Sequence, residues 1–587
     1  MGRSFAEVAQ VVDRGIMACV RRLLAAAGLY VLVSCASDLQ QAADAPSNGH
    51  RTEQLLVASA NGEADEAIAA ASAAFRRALR TSSRQSMRAW LMCATSAYEA
   101  MSSANDESAR TAAALATRCS GEYLARAVEK RRAWRAGLQT IQGEQIILEL
   151  RDPSPNLGTV FRIVLANDVS MAMYSGKRNV TPGFGVPVVL VSERCVGAPS
   201  CKLLPVSGVF RSATAWIEPA PEGVGAKIIL GHHDRTQSAV AGSRSWPLAM
   251  DSSAFYVAGL QDSPIQRLAI WSFFGGSALG QRAGVYLLED YDPEKRPLVM
   301  IHGLASSPLT WASMSNAIWA DPELRTRYQI WQVVYQSNDP MLVARRRVER
   351  QLDDAWALLD PSGTAPARGC VVLVGHSMGG VVARLLSVDT GDALLNAAFT
   401  VPLSSVSGHD SDLESIDRIF RFRPYPGIRR GIYIAAPHRG SPTADAFIAR
   451  VTHSIVANRT PEILALRRIV RSQPEVVQAE LRAAFSRGRI NGITTLRESE
   501  PVMRATHEML PSGTMPYHTI SGVQSGSEPE GDGIVPLRST LLAGAESVLI
   551  VESGHNAHEN DQAISEVIRI LHDNLRSAAE SGGDGCR

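Results

Sequence analysis

The chain has 587 residues, 45% hydrophobic and 20% charged, and its 59 Lys and Arg nearly balance 58 Asp and Glu for a formal charge of +1. That length accommodates several domains, and the charge balance leaves no excess of cations to neutralise a phosphate backbone, which argues against a nucleic-acid partner. The hydrophobic content excludes a chain disordered over most of its length, and no unbroken run reaches the roughly 18 apolar residues of a transmembrane helix.

At the N-terminus, Arg14, Arg21 and Arg22 precede an apolar run over 23–34 (LLAAAGLYVLVS) that meets Cys35. A basic flank, a short apolar stretch and small residues at its end predict a secretory signal peptide over 1–35. Leu32-Val33-Ser34-Cys35 resembles the lipobox of bacterial lipoproteins. The resemblance implies that Cys35 is lipidated and becomes the first mature residue. Ala36, standing where Asp would retain the protein, implies passage to the outer membrane, so the expected location is the cell envelope. The stretch before Arg21 is long for a leader, which makes Met17 an alternative start. The competing reading of the run is a buried helix with an incidental cysteine. Residues 36–50 are small and polar and read as a tether.

Export would place the remaining cysteines in an oxidising compartment, where disulfides persist. Cys195 and Cys201 bracket a turn-rich Val-Gly-Ala-Pro-Ser spacer, and Cys93 and Cys119 fall on two predicted helices that a bond would cross-link. The alternative for each pair is two buried thiols. No Cys or His spacing fits a zinc site, and no metal is expected.

Residues 51–138 are rich in Ala, Arg and Glu and predict a helical segment with no steady repeat. One helix spans 86–101, with Trp90, Leu91, Ala94 and Tyr98 on one face. From 139 to 263 short branched runs (144–150, 160–165, 188–191, 226–230) alternate with Gly and Pro turns, the pattern of a β-rich segment. From 264 to 576 strands at 285–289, 298–301, 330–335, 371–374, 432–435, 518–520 and 547–551 alternate with helices. That pattern predicts an α/β fold, a mostly parallel sheet with helices on both faces. The tail over 577–587 is small and polar.

Gly375-His376-Ser377-Met378-Gly379 matches G-x-S-x-G. The pentapeptide alone is a weak signal, but it lies between a buried strand and a helix. A serine at such a turn sits in a strained backbone that only small neighbours tolerate, which leaves its hydroxyl exposed at the strand tip. A hydroxyl needs a base to remove its proton and an acid to orient the base, in the order Ser, acid, His for this topology. Asp532, in GDGIVP after the strand at 518–520, and His555, after the strand at 547–551, supply that order. Attack on a carbonyl places charge on oxygen, and the backbone N–H groups of Leu304 and Met378 are the expected donors to it.

Five blocks in order, IHGLASSPLTW (301–311), GHSMGG (375–380), APHRGSP (436–442), DGIVP (532–536) and SGH (553–555), make the region from about 297 to 571 resemble an α/β-hydrolase of the bacterial lipase/esterase type. The resemblance implies Ser377 as nucleophile, Asp532 as acid, His555 as base and Leu304 with Met378 as oxyanion donors, with no cofactor. His558 is the alternative base, and Glu528 or Glu530 the alternative acid. His302 and His438 read as hydrogen-bonded packing residues, Arg345-Arg346-Arg347 as a solvated helix face, and Asp339 and Asp389 as turn or capping residues. Insertions at 393–426 and 443–515 are candidate lids.

The reading is a lipid-anchored serine hydrolase acting on an ester or lipid substrate through an acyl-enzyme. Thioesters, amides and polyesters stay open, because acyl specificity lives in pocket shape. The alternative from another class is an envelope interaction lipoprotein with a vestigial hydrolase domain. The protein partners of the N-terminal segments are unknown.

Overall fold

A stretch rich in alanine and nearly free of proline has little to interrupt a helix, and three helices result: α1 (Glu66–Arg80), α2 (Arg84–Ala100) and α3 (Asp106–Glu129). Trp90, Leu91, Ala94 and Tyr98 of α2 are all buried, as the periodicity predicts. A disulfide joins Cys93 of α2 to Cys119 of α3. The computed structural model describes residues 66–580 apart from 82–83, 104, 130–132, 152–159, 172–176, 196, 206–207, 222–223, 234–235, 263–282, 443–459, 488–489, 493, 514 and 528. The signal peptide with Cys35, the tether, Glu528 and most of the tail therefore lie outside the described residues. Among those described, no helix is long and apolar enough to cross a membrane.

Ten strands follow: β1 (Gly137–Ile141), β2 (Glu144–Arg151), β3 (Val160–Leu165), β4 (Val180–Thr181), β5 (Val186–Ser192), β6 (Val209–Glu218), β7 (Ala226–His232), β8 (Ser238–Ala241), β9 (Arg244–Pro247) and β10 (Met250–Asp251). Six of them form one sheet in the order β1-β2-β7-β6-β5-β3, antiparallel except where β2 meets β7. A second disulfide joins Cys195 and Cys201 between β5 and β6. Helix α4 (Ala254–Asp262) packs against β5 and β6.

The second half alternates strand and helix. Its elements are β11 (Gly284–Leu287), β12 (Arg296–Ile301), α5 (Ala312–Ala320), β13 (Tyr328–Val334), α6 (Met341–Leu359), β14 (Val371–His376), α7 (Met378–Leu385), α8 (Asp410–Phe420), β15 (Ile428–Ile434), α9 (Pro461–Ser472), α10 (Ala479–Arg487), α11 (Pro501–His507), β16 (Tyr517–Val523), β17 (Ser547–Glu552) and α12 (Asp561–Glu580). The seven-stranded sheet runs β11-β13-β12-β14-β15-β16-β17, with β11 antiparallel and the other pairings parallel. Every residue of β12, β13 and β14 is buried, as a sheet covered on both faces requires.

Alternation along these strands divides the core in two. Val299, Ile301, Leu373 and Tyr433 join α6, α7 and both insertions on one face. Leu298, Met300, Val372, Val374 and Ile432 join α5 and α12 on the other. Val189, Val191 and Phe210 of the first sheet and Val257 and Leu260 of α4 belong to that second cluster, so the two sheets share a core.

Arg345 departs from the solvated face expected for it. It has no exposed surface, pairs with Glu349 at 2.9 Å, and lies 3.9 Å from the Phe422 ring centroid. The first insertion covers this side of α6, and the aromatic face and the carboxylate replace water around the cation. Asp339 is likewise a buried partner of Arg347.

Loop-closure entropy ranks the two disulfides. Their sequence separations of 26 and 6 residues correspond to about 3.5 and about 2 kcal/mol of stabilisation. Cys93→Ala with Cys119→Ala is expected to lower the urea midpoint more than Cys195→Ala with Cys201→Ala. The reverse order in equilibrium unfolding would contradict the ranking.

Candidate active site

The turn from β14 into α7 places Ser377 at φ 55° and ψ −127°, a conformation that costs an L-residue roughly 1–3 kcal/mol. Close backbone packing holds it there. A Cβ on Gly375 would fall 2.4 Å from the Gly379 carbonyl oxygen, and a Cβ on Gly379 would fall 2.1 Å from that of Ile301. The Ser377 amide donates to the Ile434 carbonyl at 2.9 Å, tying the turn to the end of β15.

Asp532 and His555 arrive from the carboxyl ends of β16 and β17. The Asp532 side chain is fully buried, and its Oδ1 accepts from the amides of Ile534 at 2.9 Å and Val535 at 2.7 Å. Its Oδ2 lies 2.8 Å from His555 Nδ1, and His555 Nε2 lies 2.9 Å from Ser377 Oγ. A carboxylate only accepts, so Nδ1 carries the proton and Nε2 is left to accept from the serine hydroxyl. His558 points elsewhere: its Nε2 bonds Thr310 Oγ1 at 2.5 Å. Glu530 is exposed, away from this chain of bonds.

A cavity of about 290 Å³ opens beside Ser377 and His555, with Leu304, Pro437, Leu496, Ile534 and Val535 on its apolar side. Gly303 is in contact with the serine, since a Cβ on it would lie 2.9 Å from Ser377 Cβ. The amide of Ala305 donates to Ser337 Oγ at 3.0 Å, anchoring the loop that carries Leu304. Met378 is the first residue of α7, where helix amides point outward without partners in the helix. Among the described residues, the second insertion contributes Leu496 to the cavity wall and the first contributes nothing.

Other histidines lie close to Ser377, Asp532 and His555. His376 Nε2 donates to the backbone carbonyl of His555 at 2.9 Å, and its ring is 4.0 Å from that of His558. It occupies the x of G-x-S-x-G, which the motif leaves open, so only the fold reveals that it braces the His555 loop. His302 Nδ1 donates to the Gly303 carbonyl at 2.9 Å, while its ring stacks on Tyr335 at 4.7 Å. His438 packs edge-on to Tyr433 at 5.3 Å and its backbone amide donates to the Ser539 carbonyl at 2.9 Å, whereas neither ring nitrogen has a partner among the described residues. A neutral imidazole is the form that such burial tolerates.

Burial pushes the His302 pKa down to about 4. Burial first, and then the charge of His555, push that of His558 down to about 3. Burial, with His558 and His555 beside it, holds His376 well below the usual range. In the unfolded chain each ring titrates near 6.5. As pH falls from about 6.5 toward 4, the unfolded state therefore takes up protons that the folded state refuses. Stability is complete above that window and declines through it by up to about 1.4 kcal/mol per pH unit per histidine. Urea unfolding at pH 7 and pH 5 is expected to give a lower midpoint at pH 5; equal midpoints would mean that these rings are not held neutral.

No curated protein matches the chain. Residues 298–569 match the Alpha/beta hydrolase family. Among solved structures, the chain is similar to the mature form of the Bacillus licheniformis lipase BlEst2 (16% identity, TM-score 0.28), over 49% of this chain and 97% of that one. It is similar to the esterase Est2 from the Planctomycetes species Thermogutta terrifontis (12%, TM-score 0.26), over 49% of this chain and 88% of that one. A third is esterase B from Lactobacillus rhamnosis (13%, TM-score 0.26), over 50% of this chain and 81% of that one. With the family match lying on the seven-stranded sheet and its helices, the segment from Gly284 to the C-terminal helix has the α/β-hydrolase fold.

Proposed function

We propose that the protein is a serine hydrolase of carboxylic esters, with Ser377 as nucleophile, His555 as general base and Asp532 as the acid that orients it. One observation carries this reading: the continuous chain from Ser377 Oγ to His555 Nε2, and from His555 Nδ1 to Asp532 Oδ2, at 2.9 and 2.8 Å. His555 takes the hydroxyl proton as Oγ attacks the ester carbonyl. The amides of Leu304 and Met378 stabilise the oxyanion, and His555 then protonates the departing alcohol. Water, deprotonated by the same histidine, attacks the acyl-serine and releases the acid. The buried, doubly hydrogen-bonded carboxylate keeps Nδ1 as the protonated nitrogen and stabilises the imidazolium that forms.

The anchor belongs to the same proposal. Leu32-Val33-Ser34-Cys35, after a short apolar run with a basic flank, supports a lipid-modified Cys35 and an envelope location with the hydrolase held at a membrane surface. One acyl chain binds a membrane only marginally, so firm attachment requires two or more.

Ser377→Ala is expected to lower turnover of p-nitrophenyl esters by about 10⁴- to 10⁶-fold with an unchanged melting curve. His555→Ala should match it, whereas His558→Gln, which preserves a partner for Thr310, should retain activity within about tenfold. Full activity in folded Ser377→Ala, or loss in His558→Gln alone, would reject the assignment. Cys35→Ser is expected to move the protein from the membrane to the soluble fraction or to leave it unprocessed. Mass spectrometry finding an unmodified N-terminus at another residue of a soluble protein would reject the anchor.

A further inference from the structure

We infer that the cavity beside Ser377 is an acyl pocket whose depth is set by Leu496, and that the esters cleaved carry short acyl chains; this rests on the ester-hydrolase reading above. The cavity of about 290 Å³ lies at the small end of ligand sites, which run from about 300 to 1,000 Å³. At roughly 30 Å³ per water-sized group, it holds on the order of ten non-hydrogen atoms. That accommodates an ester group and an acyl chain of about four to six carbons. A chain of twelve would leave half its methylenes in water.

The wall facing the nucleophile is assembled from three distant stretches of sequence that are bonded to one another. The Ser441 amide donates to the Leu496 carbonyl at 2.9 Å, and Ser441 Oγ donates to the Ile534 carbonyl at 2.6 Å. Ser539 Oγ donates to the Gly440 carbonyl at 2.6 Å, and Arg538 pairs with Glu498 at 2.8 Å. Gly440, at φ 79°, lies so close to the Leu496 turn that a Cβ on it would be 2.8 Å from the Leu496 carbonyl oxygen. The Leu496 turn is thus tied by its backbone to the 440–441 turn, which is itself bonded to the stretch at 534–539, and this support resists movement that would admit a longer chain. Leu496 is 7% exposed and lines the cavity from this support. Pocket depth is then a property of that side chain. The insertion thus acts as a fixed wall at this position.

The test is the chain-length profile of kcat/KM for p-nitrophenyl esters with acyl chains of about two to twelve carbons, on the full chain. Wild type should peak at about four to six carbons. Leu496→Ala, which removes three carbons from the wall, should raise the eight-carbon to four-carbon ratio by about tenfold, since each methylene accommodated is worth at least that much. Leu496→Phe should shift the profile the other way and stands in if the alanine variant does not fold. Leu466→Ala, a core truncation in α9 away from the cavity, should leave the ratio within about threefold. A wild-type optimum at twelve carbons would overturn the inference, as would an unmoved ratio in folded, active Leu496 variants or an equal shift in Leu466→Ala, while ester hydrolysis itself stood. Absence of nitrophenol release by wild type would overturn the ester-hydrolase reading and the acyl pocket with it.

Discussion

The close approach of β14, α7 and the loop after β12 at Ser377 is the constraint on which the rest of the site depends. Three backbones meet with no room for a side chain at Gly375 or Gly379, and the serine between them is forced to positive φ. Such a conformation persists only where surrounding structure over-determines it. Here the support is the buried parallel sheet, whose strands β12, β13 and β14 are buried along their whole length and leave the turn little room to relax. The contact between Gly303 and Ser377 has the same origin, because the loop after β12 has to pass directly over the start of α7. The candidate nucleophile and the candidate oxyanion donors are thereby positioned by one packing event.

The histidines show how burial assigns roles to chemically identical side chains. His302, His376 and His558 lie in the interior, where the charged form is disfavoured, and each is committed through one ring nitrogen to a carbonyl or hydroxyl. His555 is partly open to the cavity and has a carboxylate behind it. A neutral, braced imidazole supports structure. An imidazole with a buried anion at Nδ1 and a hydroxyl at Nε2 can take and return a proton.

The described helices and the first sheet pack into one body with the α/β half. Tyr98 of α2 donates to Glu218 Oε1 of β6 at 3.1 Å, fastening the helices to the first sheet. Val189 and Phe210 of that sheet share a cluster with Met300 and Val374 of the second. Arg211 pairs with Asp290 at 2.8 Å, and Ser253 Oγ donates to Asn316 Oδ1 at 2.5 Å, so polar contacts reinforce the joint. Removing these segments would uncover the apolar residues of the second cluster against which they pack, a cost set by the area uncovered.

Much of the α/β half was legible in the residues. Strand and helix alternation is a local property, and so are a glycine-flanked serine at a strand end and a histidine after the last strand; each is encoded within a few residues. The chain order Ser377, Asp532, His555 then follows from topology. Arg345 could not be read this way, because its solvation depends on Phe422 and Glu349, and Phe422 lies far along the chain in an insertion. His376 and Leu496 were equally hidden. A bond from His376 to the His555 carbonyl, and a pocket wall joining residues near 441, 496 and 534, exist only after distant segments have packed. The sequence by itself determined the elements and the reactive groups at their ends, because periodicity and turn chemistry act over one or two turns of chain. Tertiary structure alone decided which histidine is braced, which cation is buried and how deep the cavity runs, because those depend on neighbours that no local pattern specifies.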